Sequence, residues 1–200
     1  MESDRFFQFF TNCESRKSTR VKNKIKNIKN RNNMKTLSKI IALVAILLGS
    51  AFGADAQLPS VQLKDLNGKV VDTSTLQNDG KPFIISFWAT WCKPCRRELK
   101  AINEYYQDWQ DETGMKLIAV SIDEAQNVTK VKPVVDASGW DYEVLLDPNG
   151  DFKRAMGVQN VPHTVVVDGK GNIVESHQGY TEGSEEHLIE LIRKLNAESK

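Results

Sequence analysis

The sequence predicts an α/β domain with a mixed central sheet over residues 57–200, and three observations carry that expectation. Residues 83–88 are almost wholly apolar, the composition of a strand buried on both faces of a sheet. A segment with apolar residues at three- and four-residue spacing follows, and then a second apolar run over 115–122, so strand, helix and strand alternate. Near the end of the chain two short apolar runs flank Asp168-Gly169-Lys170-Gly171-Asn172, which reads as a hairpin and adds antiparallel strands to parallel ones.

Residues 1–56 fall outside that domain. They carry eleven Lys/Arg against four Asp/Glu, whereas residues 57–200 carry sixteen against twenty-two, so the near-neutral total hides a basic front and a mildly acidic domain. Such a domain gives no support for nucleic-acid binding, which draws on clustered Lys/Arg to meet phosphates. Met34-Lys35 opens a short basic stretch ending at Lys39, residues 40–52 form an apolar run of thirteen, and Ala54-Asp55-Ala56 has the small–x–small pattern of a cleavage site. The segment therefore reads as a secretory signal peptide cleaved after Ala56, which places the domain in the periplasm or outside the cell. A membrane span needs about 20 apolar residues, so an uncleaved, membrane-anchoring signal is the alternative. Residues 1–33, rich in Lys, Arg and Asn, read as an over-long start with Met34 as the initiator, or as a tail too polar to fold.

Within the domain, residues 61–66 alternate apolar and polar side chains, and Asn67-Gly68 is a tight-turn signal before 69–71: a β-hairpin. Asp79-Gly80-Lys81-Pro82 breaks the chain before the apolar strand at 83–88. Leu99, Ile102, Tyr106 and Trp109 define the buried face of the next helix, and 115–122 is a second apolar strand. Val128, Val131 and Val135 mark another helix, in which Pro133 is expected to introduce a bend. Residues 142–146 read as a short strand ended by Asp147-Pro148-Asn149-Gly150, and 164–167 with 173–176 form the late hairpin. Ser184 is placed to cap a last helix, with Glu185 and Glu186 in its first turn and Leu188, Ile189, Leu191, Ile192 and Leu195 as its buried stripe.

Of three cysteines, Cys13 lies in the front segment, which leaves Cys92 and Cys95. A disulfide between them closes almost no loop and would stabilise the fold little, so chemistry explains the pair better than stapling. Half of a metal site is one possibility. A structural zinc centre needs four ligands, however, and His163, His177 and His187 show no ligand-like spacing. A redox dithiol needs one thiolate to attack and a second thiol to resolve the mixed disulfide, and two intervening residues at a helix start provide both. Cys92 falls at the helix N-terminus, where the dipole and free amides favour the thiolate. Pro94 suits the first turn because its missing N–H is not needed there. Cys95 lies one turn in, and Lys93, Arg96 and Arg97 add positive charge nearby.

Ser86–Cys95, SFWATWCKPC, resembles the active-site strand and turn of thioredoxins. The leading hairpin, the Asp123 region, Asp147-Pro148-Asn149-Gly150, Met156-Gly157-Val158 and Val161-Pro162 are similar to the exported TlpA/ResA-like branch of that family. The resemblance implies a thioredoxin fold, a mixed central sheet flanked by helices, with an N-terminal β-hairpin and a central insertion. It also implies disulfide exchange with protein partners by a monomer whose only redox group is the Cys92–Cys95 couple, without a further cofactor or metal. That branch usually reduces, is associated with cytochrome c maturation, and is kept reduced by a membrane thiol donor. An oxidant or isomerase role stays open, since the cationic neighbours of Cys92 raise the potential.

Roles carry over by position. Cys92 corresponds to the nucleophile, Cys95 to the resolving cysteine, with Lys93 and Pro94 in support. Pro162 corresponds to the cis-proline that sits against the dithiol, leaving the Val161 backbone to pair with an extended substrate segment. Trp91 is expected on the surface partners touch, and Trp88 in the core. Cytosolic thioredoxin carries a buried acid six residues before the nucleophile, where this chain has Ser86. Glu98, six residues after Cys92, matches instead the acid of the ResA-like branch and would exchange a proton with the dithiol, particularly where burial raises its pKa. His163 stands where the family has Thr or Ser, either tuning the thiolate or packing. Two further classes fit less well. A peroxiredoxin needs Pro and Thr at P-x-x-x-T-x-x-C, where this chain has Ile85 and Ala89, and Sco-like copper chaperones use C-x-x-x-C.

Overall fold

A computed structural model describes residues 57–198; the signal segment, its cleavage site after Ala56, Met34 and Cys13 lie outside them. Strand β1 (Gln62–Asp65) turns through Asn67-Gly68 into β2 (Val70–Asp72), and the two pair antiparallel. Gly68 adopts φ +84°, left-handed backbone that strains any L side chain, which is why the turn carries glycine. The apolar run at 83–88 is β3 (Phe83–Trp88), buried at every position. It pairs parallel with β4 (Lys116–Ser121) and antiparallel with β6 (His163–Val167). Beyond β4 lies β5 (Glu143–Leu146), parallel to β4 and antiparallel to β1, while β7 (Ile173–Gln178) closes the other edge against β6. The order across the mixed sheet of seven strands is β2-β1-β5-β4-β3-β6-β7, so β3 sits near its middle.

Alternation along β3 divides the core. Ile84 and Trp88 face one apolar cluster, shared with both cysteines and with Leu99 and Ile102. Phe83, Ile85 and Phe87 face a second, shared with Phe152 and Val158. Each such side chain contributes roughly 1.5–3 kcal/mol by leaving water, so β3 is pinned from both faces and its C-terminal end is a rigid platform.

Helix α1 (Lys93–Thr113) follows that end directly and buries Leu99, Ile102, Tyr106 and Trp109, the face expected from their spacing. Helix α2 (Val131–Ser138) is preceded by a 3-10 turn at Val128–Lys130. Pro133, expected to bend it, interrupts none of its hydrogen bonds. The proline is the third residue of α2, inside the first turn, where backbone N–H groups have no intrahelical partner to lose. Helix α3 (Asp151–Ala155) follows β5 and was not foreseen: five residues with one buried side chain, Phe152, carry no readable period. Its first turn is held by Asp147, whose carboxylate accepts from the Asp151 and Lys153 amides, both at 2.8 Å. The loop, 3-10 turn, α2 and β5 between β4 and α3 are the expected central insertion. Helix α4 (Ser184–Glu198) buries Leu188, Ile189 and Ile192, with Leu191 and Leu195 partly buried beside them. Ser184 is the first residue of that helix rather than the cap before it. The architecture is the thioredoxin fold with a leading hairpin.

Candidate active site

The chain leaves β3 at Trp88 and reaches the start of α1 through four residues, 89–92. Cys92 is the N-cap: it has extended backbone, its carbonyl accepts from Arg96 N at 3.2 Å, and its Sγ accepts from Cys95 N at 3.3 Å. A cysteine sulfur thus takes the place of the oxygen that a Ser or Asp cap would offer. Cys92 and Cys95 are joined as a disulfide with Cα atoms 5.4 Å apart. Their exposures differ, 5% for Cys92 and 0% for Cys95. Pro94 occupies the second helical position, and Lys93 stands exposed at the first.

Two buried carboxylates flank this turn. Asp123, just past β4 and 0% exposed, accepts from Thr90 N at 2.8 Å, Thr90 Oγ1 at 2.6 Å and Ser121 Oγ at 2.9 Å. It ties the loop carrying Trp91 and Cys92 to the end of β4. Sequence reasoning noted this aspartate within the resemblance without giving it a task; the available signal was a carboxylate ending a buried apolar strand, where it must find donors.

Glu98 is the other carboxylate, 2% exposed on the inner face of α1, one turn beyond Cys95. Its Oε1 accepts from Thr164 Oγ1 at 2.8 Å, and its Oε2 has no partner among the described residues. Burial pushes its pKa from the ordinary 4.5 up to about 7; the Thr164 hydroxyl pulls it down somewhat, and the charge of Glu185 pushes it up again. Thr164 is the register partner of Ser86 across β3 and β6, and directly opposed residues share a sheet face. Glu98 therefore reaches, from the helix, the sheet face that Ser86 shares with Thr164.

The Val161-Pro162 peptide is cis, and the pairing of Phe87 with His163 sets Pro162 at the head of β6 beside the exit of β3. Val161 packs against the cluster holding both cysteines. His163 points the other way. Its ring meets Phe87 edge-on with centroids 6.4 Å apart, Nε2 pairs with Ser176 Oγ at 2.7 Å, and burial with nearby His177 lowers its pKa. Successive strand residues face opposite sides, so His163 is turned from the face that Thr164 shares with Glu98, and the packing reading holds. Trp88 is core, stacked edge-on against Trp140 with centroids 5.1 Å apart. Trp91 is 62% exposed and borders a groove of about 930 Å³ that runs past Ile122, Lys153, Gly157, Val158 and Gln159. Among the described residues no group of three or more His, Cys, Asp or Glu is arranged to hold a metal ion.

Sequence and structure comparisons agree with this fold. The model of the AhpC/TSA family matches residues 54–176. Over 166 residues the chain is 30% identical to the thiol-disulfide oxidoreductase ResA of Halalkalibacterium halodurans, covering 77% of this chain and 92% of that one. The chain belongs to the AhpC/TSA family, among its ResA-like members. The solution structure of a thioredoxin-like protein from Porphyromonas gingivalis, 62% identical, matches with TM-score 0.66 over 74% of this chain and 97% of that one. A structure assigned to the thiol:disulfide interchange protein DsbE of Chlorobium tepidum, 24% identical, matches with TM-score 0.62 over 73% and 99%, and supports the fold alone.

Membership makes this ResA-like chain a thiol-disulfide oxidoreductase. The structure gathers Trp91, Cys92, Lys93, Pro94, Cys95, Glu98, Val161 and Pro162 at the C-terminal end of β3 and the head of β6, and leaves His163 on the far side of the sheet. At the two places where a peroxidatic pocket would need Pro and Thr, Ile85 and Ala89 are fully buried apolar residues.

Proposed function

We propose that this protein reduces disulfides of partner proteins outside the cytoplasm. The Cys92 thiolate attacks one sulfur of the partner's disulfide, and the partner's other sulfur leaves as a thiolate and takes up a proton. Cys95 then gives its proton to the Glu98 carboxylate and attacks Cys92 Sγ. The partner's second sulfur leaves, two electrons have passed to the partner, and the Cys92–Cys95 disulfide remains. A membrane thiol donor returns the pair to its reduced state, as in the cytochrome c maturation reductants that the chain resembles.

The observation that carries this reading is the buried Glu98 beside the dithiol. With its pKa near 7 it is poised to accept a proton from Cys95 and to release it again at neutral pH. The basic, apolar and small-residue pattern of residues 34–56 supports the extracytoplasmic placement. Among the described residues no helix is long and apolar enough to cross a membrane.

Two measurements test it. Cys95→Ser should accumulate mixed disulfides through Cys92 with protein partners, and Cys92→Ser should accumulate none. The potential of the couple, read in a glutathione or thioredoxin buffer, should fall nearer the roughly −270 mV of thioredoxin than the roughly −120 mV of strong periplasmic oxidants. A value at the oxidising end overturns the reductant assignment.

A further inference from the structure

Helix α1 wears its charges backwards. Lys93, Arg96, Arg97 and Lys100 occupy its first eight residues, and its exposed acids, Glu104, Asp108, Asp111 and Glu112, all lie in the second half. Its first turn holds no acid and its last turn no base, the reverse of what the helix dipole favours. Helices α3 and α4 follow the usual rule, with Asp151 in the first turn of one and Glu185 and Glu186 in that of the other.

The four cations also fall at i, i+3, i+4 and i+7, the spacing that lines side chains along one face, so they repel one another. Lys100 lies 4.0 Å from Glu104, while the side chains of Lys93, Arg96 and Arg97 make no hydrogen bond or ion pair with a described residue. All four are exposed, on a domain that otherwise carries more acid than base. On one side the stripe borders a groove of about 590 Å³, closed by Ala137, Ser138 and Trp140. A charge pattern that opposes its own helix, repels itself and leaves three of its four cations unpaired beside the reactive cysteine breaks several local rules together, and such places mark function.

Resting on the exchange reaction proposed above, we infer that this stripe is a docking surface for an acidic protein partner, one whose exchanging cysteine pair is flanked by Asp or Glu. Seven helical residues separate Lys93 from Lys100, about 10 Å along the axis, which an extended partner segment of about three residues spans. The partner's carboxylates supply the counter-charges that the domain withholds, and hold its disulfide over Cys92. The chain's own front segment is excluded by sign, since it is basic.

The test uses two synthetic disulfide peptides that differ only in the three residues beside the cysteine, acidic in one and Ser/Gly in the other. Reduced protein should react with the acidic peptide about tenfold faster at low ionic strength, and the advantage should vanish near about 0.5 M NaCl. Arg96→Glu and Lys100→Glu should bring the ratio of the two rates to one or below; a ratio cancels any change in thiol reactivity common to both substrates. Equal rates in the wild type overturn the proposal. Equal rates with stripe-dependent binding to phosphatidylglycerol vesicles, or with a salt-sensitive dimer in sedimentation, overturn it in favour of a membrane or a second copy. Failure to reduce either peptide defeats the exchange reading itself, and this proposal with it.

Discussion

Asp123 and Glu98 are buried carboxylates on two sides of one dithiol, and they differ in what surrounds their oxygens. Asp123 meets three donors, two from Thr90 in the loop after β3 and one from Ser121 at the end of β4. Glu98 meets one, from Thr164, and leaves its second oxygen unpaired. A buried carboxylate saturated with donors is a structural tie, because its charge is satisfied where it stands. A buried carboxylate short of donors is pushed toward its protonated form and becomes a group that holds and releases protons at working pH. In the exchange reaction proposed above, the same functional group does two jobs, divided by hydrogen-bond count rather than by depth.

The largest expected effect breaks the first half of that contrast. Asp123→Ala strands the Thr90 amide and two hydroxyls, and urea unfolding should show a loss of about 3–5 kcal/mol. A loss under about 1 kcal/mol would mean that Asp123 is not a tie. The second effect belongs to Glu98 and depends on pH. Its native pKa, about 7, exceeds its ordinary 4.5, so between those values the folded chain binds more protons than the unfolded one. Stability therefore declines as pH rises through that window, by about 3 kcal/mol, and levels off above it. Glu98→Gln should flatten this profile while slowing exchange at neutral pH by about a hundredfold. An unchanged slope would show that another group titrates there.

Thr164→Val sharpens the comparison by removing the one donor Glu98 has. The carboxyl should move further up, so the rate profile shifts to alkaline pH, with a stability change of about 1 kcal/mol. The smallest effect is outside the pair: Trp91→Ala, at an exposed position, should change stability by less than about 0.5 kcal/mol while raising KM for protein substrates. A KM equal to that of the wild type would remove Trp91 from the contact surface.

Legibility in the sequence follows the range of the interaction. Strand β3, the Asn67-Gly68 hairpin and the buried face of α1 are written in neighbouring residues, as composition, turn chemistry and period. The dithiol was readable because its two cysteines share one helix start, and Glu98 through its match to the acid of the ResA-like branch. The tie through Asp123 was not, since Thr90 lies thirty-three residues away and no period links them. The same holds for Thr164, sixty-six residues from Glu98, whose bond depends on β6 pairing with β3. Helix α3 escaped for the opposite reason: its first turn is capped by Asp147, which reads locally as part of a turn. Pro133 was read as a bend because its position within the helix depends on where the helix begins.

One atom, Cys92 Sγ, is both the sulfur proposed to exchange and the acceptor that closes the first turn of a helix of twenty-one residues. When the disulfide opens and Cys92 ionises, that acceptor becomes an anion, which a helix start prefers. Oxidation state and folding then form a closed thermodynamic square. The gap between the unfolding free energies of the oxidised and reduced chains equals the gap between the electron affinities of the folded and unfolded dithiols. Melting the two forms side by side is consequently an electrochemical measurement, and any substitution that strengthens the start of α1 in one form alone should move the midpoint of reduction by the same amount of energy.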